Sequence, residues 1–308
     1  MRCSSRLLSL FGFLVLLATL SGRHVILVEM STAQTTTGGS RSELVRVQSK
    51  DGTLIGFECA GSGPTLLFVH GGVGDRTRWM PMFPLLSSKF TVCAMDRRGR
   101  GVSGDSAEYS LMKEAEDVAA VVDSRPGQVY VFGHSYGGVA ALEAAFLTDR
   151  IAKLMLYEPP VLDPVDHNLA VADRIDKMIE NGELEQALVT FQTEVVRQSP
   201  SEIAAMKARA SWPGLVATIS VHPRQMRALA GYRFDTNRMK AVTMPTLLLI
   251  GENTPSPYAR QSIGALQESL PNATLVVLES QEHNAMDGGR DVLASAIINF
   301  AAETPDDE

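Results

Sequence analysis

Residues 133–137, with the sequence Gly-His-Ser-Tyr-Gly, place a serine between two glycines, a pattern typical of a nucleophile elbow. In such an elbow the serine occupies a strained backbone position at a sharp turn, and its neighbours must lack bulky side chains. The preceding run from Val129 to Phe132 is apolar, and residues 140–146 are compatible with a helix. This setting predicts a strand, a turn and a helix, with the hydroxyl of Ser135 lifted clear of the sheet as a nucleophile.

A serine hydroxyl is a weak nucleophile until a base removes its proton, and histidine is the usual base. The chain has six histidines. Five of them are set aside by position: His24 in the amino-terminal segment, His70 at a strand end, His134 inside the elbow, and His167 and His222 in a helical interval. His283 follows the last strand-like run and precedes a final helix, at the sheet edge where ligands bind. We therefore expect His283 to be the base, the alternative being an exposed loop histidine.

Two backbone N–H groups are candidates for an oxyanion hole. The residue after the serine opens a helix, so the N–H of Tyr136 and the positive helix end face an oxyanion formed there. The sequence His70-Gly71-Gly72 follows another strand-like run at the same edge. We expect the N–H of Gly72 to be the second donor, the alternative being a plain glycine turn.

Composition and spacing argue against several other functions. The formal net charge of −7 disfavours a nucleic-acid partner and a general attraction to anionic membranes. Residues 99–104 match the dinucleotide pattern G-x-G-x-x-G, but the next helical pattern begins near Ser110, so no helix end is placed to bind a pyrophosphate. No cysteine or histidine spacing indicates a metal site. We expect no cofactor, no metal and a small-molecule substrate.

The amino terminus resembles an export signal. Positive residues among the first six lead into an apolar run from Leu7 to Leu20, which is short for a membrane span, and residues 31–33 offer a small-x-small cleavage site. We therefore expect a signal peptide over residues 1–33, a Thr/Ser/Gly-rich flexible spacer over 34–43 and an exported, secreted or periplasmic, protein. An uncleaved membrane anchor and an organellar leader are the alternatives.

Two of the three cysteines, Cys59 and Cys93, lie inside strand-like runs of the region expected to fold. Two cysteines in an exported protein can pair, but small buried thiols also pack well as apolar side chains. We expect free buried thiols, with a disulfide as the alternative.

The order of apolar runs predicts an α/β fold. Alternating residues from Leu44 to Gln48 and from Thr53 to Cys59 predict an antiparallel hairpin. Continuous apolar runs then follow, as in parallel strands covered on both faces: Thr65–Val69, Phe90–Met95, Val129–Phe132, Ile151–Tyr157, Thr246–Ile250 and Thr274–Leu278. Helical patterns, such as that between Ser110 and Ser124, separate most of them. We expect a doubly wound, mostly parallel sheet with an antiparallel edge.

A long interval from 159 to 241 breaks this alternation, because it contains helical patterns and no convincing strand. The predicted segments are Asp166–Asn181, Glu183–Gln198, Pro200–Trp212 and Gly214–Gly231, the last interrupted by Pro223. We expect this insertion to cover the active-site mouth as an all-helical cap. The sheet core would then span residues 44–158 and 242–302, followed by an acidic tail over 303–308.

In combination these motifs resemble a capped α/β-hydrolase from about Leu44 to Ala302. The resemblance rests on His70-Gly71-Gly72, the Asp96–Gly101 turn, the serine elbow, the helical insertion, the run 247–251 and His283. It implies hydrolysis of esters, lactones, thioesters or amides, cleavage of carbon–carbon bonds, or perhydrolysis. The serine argues against the branches of the family that use an aspartate nucleophile.

The chain departs from the family at the acid that orients the histidine. The usual aspartate follows the penultimate strand three residues after a glycine, where this chain has Thr254. Glu158 ends the strand Ile151–Tyr157 and precedes two prolines that stiffen the backbone. The resemblance allows an acid at this place, and we expect Glu158 to fill the role. The alternatives are Glu252, Asn253 or no third member of the triad.

Two readings of function follow. The first is a serine hydrolase that cleaves a small, mostly uncharged ester or lactone through an acyl-enzyme. The second is a ligand-binding relative without catalytic activity, which only the missing aspartate favours.

Overall fold

The computed structural model of the protein describes residues 42–162 and 164–303. The predicted signal peptide over 1–33 lies outside this part of the chain. So do all but two residues of the predicted spacer over 34–43 and all but one of the predicted acidic tail over 303–308.

The centre of the molecule is an eight-stranded sheet in the order β1-β2-β4-β3-β5-β6-β7-β8. The strands are β1 Glu43–Gln48, β2 Leu54–Gly61, β3 Thr65–Val69, β4 Thr91–Met95, β5 Val129–His134, β6 Ile151–Tyr157, β7 Thr246–Gly251 and β8 Ala273–Leu278. β2 runs antiparallel to β1 and β4, and the pairs from β4 through β3 to β8 are parallel. The predicted mostly parallel sheet with an antiparallel edge is thus confirmed.

Helices cover both faces of this sheet. They are α1 Phe83–Leu86, α2 Leu111–Asp123, α3 Tyr136–Ala144, α4 Val165–Glu180, α5 Leu184–Phe191, α6 Pro200–Lys207, α7 Trp212–Ala217, α8 His222–Ala230, α9 Thr236–Met239, α10 Pro257–Ser269, α11 Ala285–Gly288 and α12 Arg290–Ala302. Short 3-10 helices span Arg76–Met82 and Thr218–Val221, and a π-helical turn spans Gln192–Val196. α2, α3 and α10 bury apolar residues on one face, and α1 and α12 do so on the other. Burial on both faces explains why the strands from β3 to β7 read as continuous apolar runs, whereas β8, at the edge of the sheet, is largely part-exposed.

Every regular element between β6 and β7 in the described residues is helical, as the sequence predicts. These helices have a small core of their own, to which Val171, Leu188 and Trp212 belong. The predicted segment from Gly214 to Gly231 is divided into α7, a 3-10 helix and α8, because Pro223 is tolerated in the first turn of α8 but not in a helix interior. The role of this segment as a cap over the site remains our prediction.

The expectation of free thiols is wrong, because Cys59 and Cys93 form a disulfide. The two residues face each other directly in the antiparallel pairing of β2 and β4, and their Cα atoms are 4.1 Å apart. The sequence predicts both strands but not that they are neighbours, so the pairing could not be derived from the residues alone.

No helix within residues 42–162 and 164–303 is long and apolar enough to cross a bilayer.

Candidate active site

Ser135 lies at the turn between β5 and α3 with φ 52° and ψ −127°, a backbone conformation that side-chain-bearing residues rarely adopt. Its N–H donates a hydrogen bond of 2.8 Å to the carbonyl oxygen of Tyr157, which ties the turn to the end of β6. A Cβ atom at Gly137 would collide with the backbone carbonyl of His70. The glycine requirement of the predicted elbow is therefore a matter of close backbone approach, and it brings the His70 strand end beside the serine.

His283 and Glu158 are in direct contact. His283 Nδ1 lies 2.6 Å from Glu158 Oε2, and the Glu158 side chain is fully buried while the His283 side chain is 18% exposed. Because Nδ1 is engaged by the carboxylate, Nε2 of the imidazole is the nitrogen free to exchange a proton. Ser135, Glu158 and His283 all line the same cavity. Within the described residues no hydrogen bond joins Ser135 to His283; such bonds are often long in free enzymes and tighten with substrate.

The Glu158 carboxylate is held by three donors. Besides His283, its Oε1 accepts 2.9 Å from the N–H of Gly251 and 2.5 Å from the hydroxyl of Thr254. Its backbone has φ 46°, and its N–H donates to the carbonyl of Leu249. Thr254 stands where the family resemblance places an aspartate, and here it supports the glutamate of the neighbouring strand instead.

The other two candidates for the acid do not approach the imidazole. Glu252 is exposed, and its Oε2 accepts a hydrogen bond of 2.8 Å from the N–H of Ser280. Asn253 is also exposed, and its backbone N–H donates to the carbonyl of Gln281. Of the predicted acids, the structure therefore brings only Glu158 to His283.

The loop after β3, residues 70–72, is fixed by a buried arginine from the turn after β4. Arg97 Nη1 donates 2.5 Å to the carbonyl of Gly71, and its other guanidinium nitrogens pair with the Glu114 carboxylate. The carbonyl of Gly71 belongs to the same peptide unit as the N–H of Gly72. Arg97 thus orients and polarises that peptide, which strengthens the N–H of Gly72 as a donor. Sequence reasoning did not single out Arg97 for this contact.

The two histidines beside the elbow have structural partners. His134 Nε2 donates to the carbonyl of His283 at 2.9 Å, and His70 Nε2 accepts 3.2 Å from the N–H of Arg97. Burial lowers the pKa of both imidazoles well below the usual value, so both are neutral. Both position backbone at the site, and His70 has both of its ring nitrogens engaged, because its Nδ1 also donates to the carbonyl of Gly71.

The cavity has a volume of about 820 Å³, its open mouth included. The segments that follow strands of the sheet contribute Gly72, Ser135, Tyr136, Glu158 and His283. The helices between β6 and β7 contribute an opposite wall with mostly apolar side chains: Val165, Asn168, Phe191, Val195, Val196, His222, Met226, Leu229 and Ala230. Gly72 and Tyr136, the predicted oxyanion residues, are therefore both at the cavity surface beside Ser135.

The glycine-rich turn over 99–104 has a structural role. The Asp96 carboxylate accepts hydrogen bonds from the N–H groups of Arg76 and Val102, and Gly101 folds closely around that carboxylate. α2 begins only at Leu111, so this turn does not lead directly into a helix. Among the described residues, no group of three histidine, cysteine or acidic side chains is placed to hold a metal ion.

Comparison with known proteins agrees with this geometry. Residues 66–296 match the family model described as alpha/beta hydrolase family. The chain is 24% identical over 256 residues to 2-(acetamidomethylene)succinate hydrolase of Mesorhizobium japonicum, covering 78% of this chain and 88% of that protein.

Solved structures give the same result. An alpha/beta hydrolase of Sphaerobacter thermophilus is 34% identical with a TM-score of 0.73, over 83% of this chain and 100% of that chain. A thermophilic esterase of Thermogutta terrifontis, 23% identical, superimposes with a TM-score of 0.66 over 84% and 98% of the two chains. The chain belongs to the alpha/beta hydrolase family.

Proposed function

We propose that this enzyme is a serine hydrolase that cleaves a small, mostly uncharged ester or lactone through an acyl-enzyme intermediate. One observation carries the proposal: a buried carboxylate, Glu158, holds His283 through Nδ1 at the cavity that contains the strained Ser135. This is the relation of acid, base and nucleophile that acyl transfer by a serine requires.

In the first half of the reaction, Ser135 Oγ attacks the substrate carbonyl carbon while His283 Nε2 takes the hydroxyl proton. Negative charge then develops on the carbonyl oxygen, where the N–H groups of Gly72 and Tyr136 stabilise it. Glu158 stabilises the imidazolium without itself becoming protonated. His283 returns the proton to the leaving oxygen as its bond to the carbonyl carbon breaks, and an ester remains on Ser135.

In the second half, water takes the place of the leaving alcohol. His283 accepts a proton from that water as its oxygen attacks the acyl carbon, and the same two N–H groups bind the second oxyanion. The bond from the acyl carbon to Ser135 Oγ breaks, and the proton passes from His283 to that oxygen. The carboxylic acid leaves and the free serine is restored.

The walls of the cavity favour an uncharged substrate. Among the described residues that line it there is no lysine, arginine or aspartate, and its carboxylate, Glu158, is already occupied by His283 and Thr254. In this cavity a charged substrate group would lose its hydration without gaining an ionic partner. Arg78 lines a smaller adjoining cavity that also contains Ser135 and His283, but its guanidinium is already paired with Asp287. The apolar walls instead suit a short acyl or ring-closed substrate.

Two alternatives remain distinct from this proposal. The same machinery can act on a thioester, an amide or a carbon–carbon bond, or in perhydrolysis; one similar protein bears the name of a succinate-derivative hydrolase. A ligand-binding role without catalysis is favoured only by the absence of an aspartate at the position of Thr254. The contact between Glu158 and His283 supports the catalytic reading, because it supplies the acid from another strand.

Turnover of p-nitrophenyl esters with acyl chains of two to eight carbons, and of simple lactones, tests the proposal. We expect the short esters or lactones to be cleaved best and Ser135→Ala to lose at least about a thousandfold in kcat. Ser220→Ala, an exposed serine on the Thr218–Val221 helix, is the matched control and should behave as wild type. Equal turnover by Ser135→Ala would exclude the proposed nucleophile.

We also propose that the protein is exported. The amino-terminal pattern supports this, and so does the disulfide between Cys59 and Cys93, because disulfides persist mainly in oxidising compartments.

A further inference from the structure

His222 occupies a place in the cavity wall that the mechanism does not use. It begins α8, is only 3% exposed and lines the cavity beside Gly72. A Cβ atom at Gly72 would collide with the His222 ring, so the imidazole lies directly against the loop whose N–H we assign to the oxyanion hole. The ring also packs edge-on against Phe191, with ring centroids 4.0 Å apart. Contacts with both Gly72 and Phe191 therefore fix its position.

The hydrogen-bonding capacity of this imidazole is unmet. Within the described residues neither ring nitrogen of His222 has a hydrogen-bond partner, and the same is true of both side-chain polar atoms of the buried Gln225 one turn further along α8. The Gly72 backbone and the Gln225 side chain lie near the ring but outside hydrogen-bond geometry. Buried polar groups without partners are costly and rare in folded proteins. A polar group beside a ligand cavity that is left in this state indicates a ligand partner.

The surroundings keep the imidazole neutral. Burial, followed by the nearby charges of Arg100 and Arg97, lowers the pKa of His222 to about 3. Arg100 lies behind the loop, where its Nη2 donates 2.8 Å to the carbonyl of Gly72. A neutral imidazole offers one N–H donor and one acceptor nitrogen, which suits an uncharged oxygen better than a carboxylate.

From this geometry we propose that His222 is a substrate-binding residue that donates its ring N–H to an ether, hydroxyl or carbonyl oxygen on the acyl group of the substrate. This inference rests on the proposed function, because it takes Gly72 as the oxyanion donor. The scissile carbonyl oxygen then lies at Gly72, and the leaving group must lie at His283, which protonates it. A side chain in contact with Gly72 therefore faces acyl atoms one or two bonds from the carbonyl carbon.

The consequence is a preference within the class of small uncharged esters. An acyl chain with an oxygen at this position satisfies His222, whereas the isosteric hydrocarbon chain leaves the buried imidazole without a partner. Sites that are built to hydrogen-bond a substrate discriminate strongly against analogues that lack the bonding group.

A cycle of two substrates and two enzymes tests this inference. p-Nitrophenyl methoxyacetate and p-nitrophenyl butyrate differ by one oxygen in place of a methylene. We expect His222→Leu to lower the ratio of their kcat/KM values at least about tenfold relative to wild type, or about 1.4 kcal/mol. His222→Gln, which keeps a donor, should retain the ratio within about threefold. The different intrinsic reactivity of the two esters cancels in the comparison.

His167→Leu is the matched control, since His167 lies exposed on α4 and outside the cavity wall, and it should leave the ratio unchanged. If His222→Leu slows both esters equally, the residue has a structural role only and the inference is wrong.

A binding measurement keeps the test independent of turnover. In Ser135→Ala protein with ¹⁵N-labelled histidine, the His222 ring resonance is identified by its loss in a further His222→Leu variant. We expect methoxyacetamide to shift this resonance saturably, and butyramide to shift it much less. An equal response to both amides, or no response, would overturn the assignment of His222. Failure of both esters to turn over would instead count against the proposed function.

Discussion

At the scale of single residues, the carboxylate that contacts His283 follows β6, whereas the family resemblance places the acid after the neighbouring strand β7. Thr254 occupies the place of the usual aspartate and donates its hydroxyl to Glu158, which approaches His283 from the end of β6. The positive φ of Glu158 turns its side chain toward β7, where Gly251 supplies a further donor. The carboxylate is consequently buried with each oxygen engaged, as an acid that orients imidazole should be.

Neutralising this carboxylate should therefore be costly. We expect Glu158→Gln to lower kcat a hundredfold or more, which is on the order of 3 kcal/mol at roughly 1.4 kcal/mol per decade. The amide cannot stabilise the imidazolium and can hold the imidazole in the wrong tautomer. Steady-state kinetics with a short aryl ester measures the change.

Glu252→Gln is the matched control, because Glu252 is exposed and bonded to Ser280 instead of His283. It should cost less than about tenfold. The reverse ranking of the two variants would move the acid to Glu252, and two near-silent variants would mean that no carboxylate completes the triad.

Some site residues could be predicted from the sequence and others could not. Ser135, His283 and Glu158 stand next to local signals: a glycine-flanked turn, a loop after a strand, and a pair of prolines. Arg97 and His222 carry no such signal, because their contacts with the loop over 70–72 join segments far apart in the chain. His222 lies in the helical interval, where no local pattern indicates an active-site residue, and only the packing of α8 puts it at the cavity.

At the scale of elements, a pair of carboxyl groups links α6 to the loop that carries His283. Glu202 lies on α6, and Glu282 precedes His283 in the loop. A hydrogen bond with Glu202, followed by burial, raises the pKa of Glu282 to about 7. The folded protein therefore binds the carboxyl proton of Glu282 more tightly than the unfolded chain does. The resulting stabilisation is fully present below the unfolded pKa, near 4.5, and is lost as the pH rises through about 7.

A substitution that removes the titratable carboxyl group of Glu282 should change how the stability of the protein depends on pH. We expect Glu282→Gln, which mimics the protonated side chain, to match wild type in Tm near pH 4 and to exceed it near pH 8. Thermal unfolding across that range measures the difference. Glu279 is an exposed glutamate of the same turn, and Glu279→Gln serves as the control. Its Tm should not diverge from that of the wild type as the pH rises. A constant difference between Glu282→Gln and wild type at all pH values would contradict the assigned pKa.

Periodicity predicts the elements better than their ends. The strands from β3 to β7 are predicted to within two residues at each end, because their burial on both faces leaves an unbroken apolar run. Four helical segments are predicted between β6 and β7, whereas the described residues there form six α-helices, and α6 ends at Lys207 although its predicted segment continues to Trp212. Their limits are set by packing around a separate small core, which a periodic pattern does not show.

At the scale of the whole molecule, the disulfide links β2 to β4 in the antiparallel part of the sheet. Cys59 and Cys93 are separated by 34 residues, so the loop-closure relation predicts about 3–4 kcal/mol of stabilisation. In urea unfolding of the wild-type protein, reductant should lower the free energy of unfolding by this amount. Cys59→Ala/Cys93→Ala protein should not respond to reductant. Two thiols that react in denatured, unreduced mature protein would refute the pairing.

Export predicts a shortened chain. In a secreting host we expect the mature amino terminus to lie downstream of Leu20, near Gln34, as determined by intact-mass spectrometry of the purified protein. Soluble protein in the cytoplasm that retains Met1 or Arg2 at its terminus would contradict the proposal.

The central claim is that Ser135 is the nucleophile of an acyl-transfer site, and its most direct test is covalent capture. The mature protein is incubated with an active-site-directed fluorophosphonate, and the modified residue is located by peptide mass spectrometry. We predict one adduct per chain, on Ser135, with parallel loss of esterase activity and no labelling of Ser135→Ala. Undiminished labelling of Ser135→Ala, or an adduct on another residue with activity lost, would contradict the account.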